Sequence, residues 1–237
     1  GETYKDTWGN AKNAKILCGY LKAGIKAVRE CTPKALVTLH LESMGYGKCS
    51  EIMNAWEQNG VDYDVFGSSF YQFWQGNSSK NALAGLQKIE NLAKSRGKMY
   101  AVMETSWLNS LKDADGTPNV IGEGHANAKV YSDDPQGQVD ALTDMYQTLL
   151  SNDNGAFYWE GAWIPVKAGW TNWKYNKDMS DRYGTGWAAQ GAKGYYPDNK
   201  MYYNGQPGWG GCSWDNQTLF DSNGYPLQSL KFYKDSV

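Results

Sequence analysis

The 237 residues carry 23 Lys and Arg against 25 Asp and Glu, a net charge of −2 and a sequence pI near 5.7; 41% are hydrophobic. That is apolar material enough for one sizeable core. With no basic run or basic-aromatic patch, it argues against a nucleic-acid partner.

The chain opens on the polar GETYKDTWGN, which holds no signal-peptide pattern and reads as a mature or truncated product. Residues 12–30 place Leu17, Leu21, Gly24, Ile25 and Val28 on one helical face. ALVTLHL (35–41) reads as a buried strand. SEIMNAWEQNG (50–60) reads as a short helix with a Ser cap and a closing Gly. VDYDVFGSSFYQFW (61–74) contains the next strand. NALAGLQKIENLAKSRG (81–97) is an amphipathic helix with Leu83, Leu86, Ile89, Leu92 and Ala93 inward and a Gly stop. KMYAVMETS (98–106) is the third strand. DPQGQVDALTDMYQTLLSND (134–153) is a helix with Pro in its first turn, and GAFYWEGAWI (155–164) is the fourth strand.

Helices thus alternate with nearly continuous apolar strands, which predicts a parallel sheet. Right-handed crossovers leave an open doubly wound sheet or a barrel. No G-x-G-x-x-G follows a strand and no P-loop is present. Polar and aromatic residues instead stand at strand ends: His40, Tyr71, Glu104 and Trp159. A (β/α)8 barrel builds its site there, although only four of its eight strands are legible. From about Pro165 the chain is rich in Gly, Asn and Tyr, read as a long ordered loop excursion. PDNK and YNGQPG are turns within it, and a short helix near Leu227–Tyr233 closes it. Residues 1–237 are taken as one catalytic domain. No stretch of 18 or more apolar residues occurs, so no membrane span is expected.

Of 11 Trp, seven (159, 163, 170, 173, 187, 209 and 214) fall in the last 79 residues, mostly among Gly, Asn, Asp and Lys. Flat rings on loops suit stacking against a sugar face; they also suit a small aromatic core of the loops' own. Cys18, Cys31, Cys49 and Cys212 lack zinc spacing, and Cys18 and Cys31 lie too far apart on one helix to pair. Free thiols are expected, with Cys49–Cys212 left open.

In MYAVMETS, alternation places Tyr100, Val102 and Glu104 on one face and Ala101 and Met103 on the other. If the first face points into a barrel, the Glu104 carboxylate stands over its opening. A charge there is costly unless it is hydrogen-bonded, and either a structural ion pair or catalysis would account for it. Glycosidases use two carboxylates across the scissile bond. Glu160 is the local candidate for the second, but alternation sets it opposite Trp159; Trp159 is read as inward and Glu160 as structural.

VDYDVFGSSFYQFWQG, YAVMETS, DPQGQ, FYWEGAWIPV, YGTGWA and DNQTLFDSNGYPLQSL occur in one order. Together they resemble the arabinogalactan endo-β-1,4-galactanases, glycoside hydrolase family 53; LKAGIKAVRE and LVTLHLE extend the likeness toward the N-terminus. The resemblance implies a (β/α)8 TIM barrel of the glutamate-nucleophile clan, of which this chain supplies roughly strands 5–8, and retaining hydrolysis of β-1,4-galactan. It implies Glu104 as nucleophile and Tyr71 as the tyrosine that hydrogen-bonds it. His40 would close the fifth barrel strand, and Trp74, Trp159 and Trp163 would be substrate-cleft aromatics. Family members more often read YPFWHG and WEPAW; Gln72, Gln75 and Gly161 differ here, which bears on subsites rather than on reaction type.

The family's acid/base glutamate follows an asparagine at the end of barrel strand four, a segment not seen in these residues. It is expected upstream of residue 1, and Glu2 is not taken for it. A non-catalytic galactan-binding half-barrel, or a clan hydrolase with another β-glycan substrate, is the alternative. Expected partners are the polysaccharide and either the other half of the barrel or a second copy; the expected location is secreted or cell-surface.

In KDADGTPNV (112–120), Asp113, Asp115, Thr117 and Asn119 alternate as oxygen donors, the spacing of a Ca²⁺ loop or of an Asp/Gly-rich turn. It is not an EF-hand, because Gly124 stands where Glu would close the loop. Bacterial family members carry a similar Asp-x-Asp-Gly-x-x-Asn calcium loop, with His where Thr117 stands. That resemblance implies structural Ca²⁺ and no organic cofactor.

Overall fold

The computed structural model describes residues 14–42, 45–74, 79–112, 119–125, 130–149, 154–162, 201–203, 206–208 and 214–235. In chain order these form α1 (Lys15–Cys31), β1 (Thr38–Leu41), α2 (Tyr46–Gln58), β2 (Val65–Ser69), α3 (Ser79–Ser95), β3 (Met99–Thr105), α4 (Pro135–Thr148), β4 (Ala156–Tyr158), β5 (Met201–Tyr203), β6 (Gln206–Gly208) and α5 (Phe232–Asp235). Strands β1 to β4 make one sheet in sequential order, with β1/β2 and β2/β3 parallel. A helix follows each of the first three strands, so the expected βα alternation and parallel pairing hold. Strands β5 and β6 pair as an antiparallel ribbon, with Asn204-Gly205 between them in the sequence. Among the described residues no helix is long and apolar enough to cross a membrane.

The chain divides into two compact units, 1–105 with 145–157, and 106–144 with 158–237. In the first, β2 is buried along its whole length. Phe66 leans on Trp56 of α2, ring centroids 6.0 Å apart, and Trp56 meets Tyr63 edge to face at 5.4 Å. From α3, Leu86, Ile89, Leu92 and Ala93 are buried as expected, while Leu83 is only half-buried. Each fully buried leucine or isoleucine contributes about 1.5–3 kcal/mol. Helices α2 and α3 give way to turns in which Gly60 and Gly97 take φ +65° and +67°, the left-handed stop that glycine supplies without a Cβ clash.

Two local expectations fail. Helix α2 starts at Tyr46 with Gly45 as cap and no side-chain capping bond; Ser50 lies inside the helix. On α1 the buried side chains are Cys18 and Ile25, with Leu17 and Leu21 half-buried and Gly24 and Val28 exposed. The helix is rotated toward its cysteine, whose Sγ lies 4.0 Å from the Ala55 carbonyl. Cys18 and Cys31 are free thiols. Arg29 ties α1 to the strand starts: Nη1 donates to Ala35 O at 3.0 Å and Nη2 to Asp64 at 2.9 Å. The other Asp64 oxygen takes the Val37 N–H at 2.6 Å.

The second unit is held by side chains that serve backbone. Buried Gln138 donates to the carbonyls of Trp107 (2.9 Å) and Thr218 (3.0 Å) and accepts from Ser229 Oγ at 2.5 Å. Asn216 Nδ2 donates to Ser110 O and Ile121 O. Trp107 donates from Nε1 to Ser132 O at 2.7 Å and meets Tyr131 edge to face. The tail ends in a 3-10 turn, Gln228–Lys231, running into α5, close to the predicted helix.

Candidate active site

Three side chains meet at the C-terminal ends of β1, β2 and β3, all in the first unit. Glu104 is the penultimate residue of β3, Tyr71 lies two residues past β2, and His40 is the third residue of β1. Tyr71 donates its hydroxyl to Glu104 Oε2 at 3.0 Å. His40 Nδ1 stands 3.9 Å from Glu104 Oε1, and its Nε2 is hydrogen-bonded to Ser69 Oγ at 2.9 Å. The Glu104 side chain is 23% exposed, reachable by a ligand yet partly shielded from water. Tyr71 thus holds one carboxylate oxygen, and the other faces His40 beyond hydrogen-bond distance.

The sheet has a helix side and an open side. Phe66 lies against Trp56 of α2, so Phe66, Ser68 and their neighbours on β3, Tyr100 and Val102, face the helices. Tyr100 hydroxyl and Ser68 Oγ meet there at 2.6 Å, and burial pushes the Tyr100 phenol pKa up. His40, paired with Gly67, and Ser69 share the open side. The alternation that groups Glu104 with Tyr100 and Val102 is therefore overturned. The β2–β3 register runs Ser68↔Val102 and then Ser69↔Glu104, skipping Met103. This bulge turns Glu104 to the side of His40 and Ser69.

Ser69 was not among the residues singled out in the sequence. A small polar residue ending a buried strand was the available signal. Trp74 is 48% exposed and meets Phe73 edge to face at 4.6 Å. In the second unit, Trp159 and Glu160 fall in the turn after β4, past the strand, so alternation assigns neither a face; Trp159 is 38% exposed and Glu160 takes φ +50°. Trp163, Asp113, Asp115, Thr117, Glu2 and Cys212 lie outside the described residues. Of the expected calcium ligands only Asn119 is described. Its Nδ2 donates to Lys112 O at 3.2 Å, while its buried Oδ1 has no hydrogen-bond partner among the described residues. An orphaned oxygen of that kind fits a cation ligand. Among the described residues no cluster of three or more His, Cys, Asp or Glu side chains forms a metal site.

Residues 2–233 match the family described as glycosyl hydrolase family 53. The chain is 36% identical over 222 residues to an endo-beta-1,4-galactanase of Bacillus subtilis, covering 92% of this chain and 49% of that protein. It is 30% identical over 143 residues to an arabinogalactan endo-beta-1,4-galactanase of Thermothelomyces thermophilus, covering 56% of this chain and 40% of that protein. A family 53 catalytic domain from Ignisphaera aggregans superposes with TM-score 0.70 at 27% identity, over 98% of this chain and 54% of that one. A fungal beta-1,4-galactanase shares the fold at TM-score 0.61 and 20% identity, over 96% of this chain and 56% of that one. The chain spans about half the length of the curated relatives it matches, and its four-stranded parallel sheet is a partial (β/α)8 barrel.

Proposed function

The chain belongs to glycosyl hydrolase family 53, and from that premise we propose that it carries the nucleophile side of an endo-β-1,4-galactanase acting with retention. The observation that carries this reading is the Tyr71–Glu104 hydrogen bond at the strand ends. Glu104 attacks the anomeric carbon of a β-1,4-galactosyl unit, and the glycosidic bond breaks with its electron pair going to the leaving oxygen. A second carboxylic acid, about 5 Å away, protonates that oxygen. Its source is the part of the barrel outside these 237 residues. Water, deprotonated by the same group, then attacks the anomeric carbon and frees Glu104. Tyr71 holds Oε2 and leaves Oε1 available to the sugar, while Ser69 fixes the His40 ring beside it. Trp74, Trp159 and Trp163 offer flat faces to galactosyl rings. A polymeric substrate outside the cell is consistent with secretion or cell-surface display.

The 113–119 loop binds Ca²⁺ in this reading, supported by the spacing of Asp113, Asp115 and Thr117 and by the orphaned Asn119 Oδ1. Those residues would hold the ion, whose charge would stiffen the loop.

The test is reducing-sugar release from linear β-1,4-galactan by the complete barrel and its Glu104→Gln variant. The amide keeps shape and loses nucleophilic charge, so turnover falls by several orders of magnitude while galactan still binds. A variant retaining more than about a tenth of the wild-type rate, a barrier change of only about 1.4 kcal/mol, refutes the assignment. Equal inactivity of wild type and variant, with galactan bound by both, would make the protein a binding module.

A further inference from the structure

Met103 and Glu104 are consecutive, yet both lie on the open side of the sheet. A Cβ at Gly67, which belongs to that side, would fall 2.4 Å from Met103 Cγ and 3.1 Å from Thr38 Cγ2. The same side holds His40, paired with Gly67, and Ser69, paired with Glu104. Side chains of neighbouring residues in a regular strand point to opposite faces. Only the bulge allows these two to share one.

Gly67 is not needed for its backbone, since its φ is not among the positive values. Glycine in a strand interior is destabilising against alanine, and it marks places where another group approaches the backbone closely. Here the group is Met103. Its side chain lies across residue 67 as the extra residue of the bulge, and pairing resumes beyond it, with Phe70 N–H donating to Glu104 O at 2.7 Å. Without the bulge, alternation would turn the Glu104 carboxylate toward the helix layer, among Ser68, Tyr100 and Val102.

We infer that the Met103 bulge, seated in the space left by the missing side chain of Gly67, aims the Glu104 carboxylate at the strand-end opening. Gly67 is therefore a positioning residue for that carboxylate, in a role that rests on the nucleophile reading above. An alanine at 67 pushes on Met103 Cγ, a mid-chain atom one bond beyond Cβ rather than the tip of the side chain. A shift of the Met103 backbone under that push passes to the adjoining Glu104.

The test is a cycle of Gly67→Ala, Met103→Ala and the double variant in the complete barrel, assayed on β-1,4-galactan. A misplacement of the order of 1 Å costs about a hundredfold, so Gly67→Ala lowers kcat by about that factor and changes KM by less than about threefold. Removing the obstructing side chain restores aim, so the double variant regains at least about tenfold of that loss. Met103→Ala alone stays within about threefold of wild type, because Met103 is only half-buried. A Gly67→Ala enzyme within about threefold of wild type overturns the inference, as does a double variant no faster than the single one. If Gly67→Ala does not fold, the double variant decides alone: within about tenfold of wild type supports the inference, and a loss beyond about a hundredfold overturns it. If Glu104→Gln proves active, the nucleophile reading fails separately. The crystal structure of Gly67→Ala, or of the double variant, then decides the inference. Loss of the Tyr71–Glu104 bond in the single variant, or its presence in the double, supports it; a bond kept at 3.0 Å in the single, or lost in the double, overturns it.

Discussion

Gln138 offers the sharpest test of how the second unit is held. It is fully buried, and its Nε2 faces Trp107 O, Thr218 O and the Tyr158 hydroxyl, while Oε1 accepts from Ser229. Replacing it with leucine removes all four links, but the damage is smaller than that count suggests. Trp107 O keeps the Tyr158 hydroxyl at 3.0 Å, and Thr218 O keeps Asn109 Nδ2 at 2.9 Å. Only the buried Ser229 hydroxyl loses the partner seen here, which costs about 1–3 kcal/mol. Glutamate at 138 is worse despite its closer shape. It sets an acceptor oxygen against two carbonyl oxygens and brings in a buried charge without a cation, a class of change that costs about 3–5 kcal/mol. Urea unfolding of wild type, Gln138→Leu and Gln138→Glu reads both numbers. At about 2–4 °C per kcal/mol for a protein of this size, thermal melting gives an independent check. A glutamate variant as stable as the leucine variant would refute the donor role of Nε2. A leucine variant losing more than about 4 kcal/mol would show that Tyr158 and Asn109 do not cover the two carbonyls.

Burial alone would raise the Asp64 carboxyl, but the Val37 N–H and the Arg29 guanidinium outweigh it and hold the pKa below the usual range. A depressed folded pKa gives stability that is present above the unfolded value, about 3.9, and is lost as pH falls through the folded one. Asp64→Asn therefore narrows the difference in unfolding free energy between pH 7 and pH 3, and costs about 1 kcal/mol at pH 7 as a partly exposed ion pair; an unchanged difference counts against the clamp. Trp74→Ala raises KM on galactan about tenfold, some 1.4 kcal/mol of stacking, and leaves the melting temperature in place because the ring is half-exposed. A normal KM would remove Trp74 from the cleft. Calcium raises the melting temperature by mass action, worth about 2.7 kcal/mol at a hundred times Kd. Asp113→Ala with Asp115→Ala removes that shift, and an equal calcium response in the double variant would leave the loop a plain turn.

Local chemistry in the sequence was sufficient for the order and type of the main elements. The apolar spacing of Leu86, Ile89, Leu92 and Ala93 sets the buried face of α3, and Gly60 and Gly97 stop their helices because only glycine takes a left-handed turn without cost. The motifs around Glu104, Tyr71 and His40 likewise mark strand ends before any fold is drawn. What the sequence could not determine depends on a neighbouring strand. Alternation is a rule of one strand by itself, and it sends Glu104 to the helix side. The pairing of β2 with β3 inserts Met103 as an extra residue, and Gly67, thirty-six positions earlier, leaves space for its side chain. Ser69 enters the site for the same reason, through His40 on another strand. The start of α2 at Gly45 and the links from Gln138 to Trp107, Thr218 and Ser229 also belong to the tertiary structure. Hydrogen bonds of that span have no periodicity in the chain, because each partner is chosen by where the backbone passes in space.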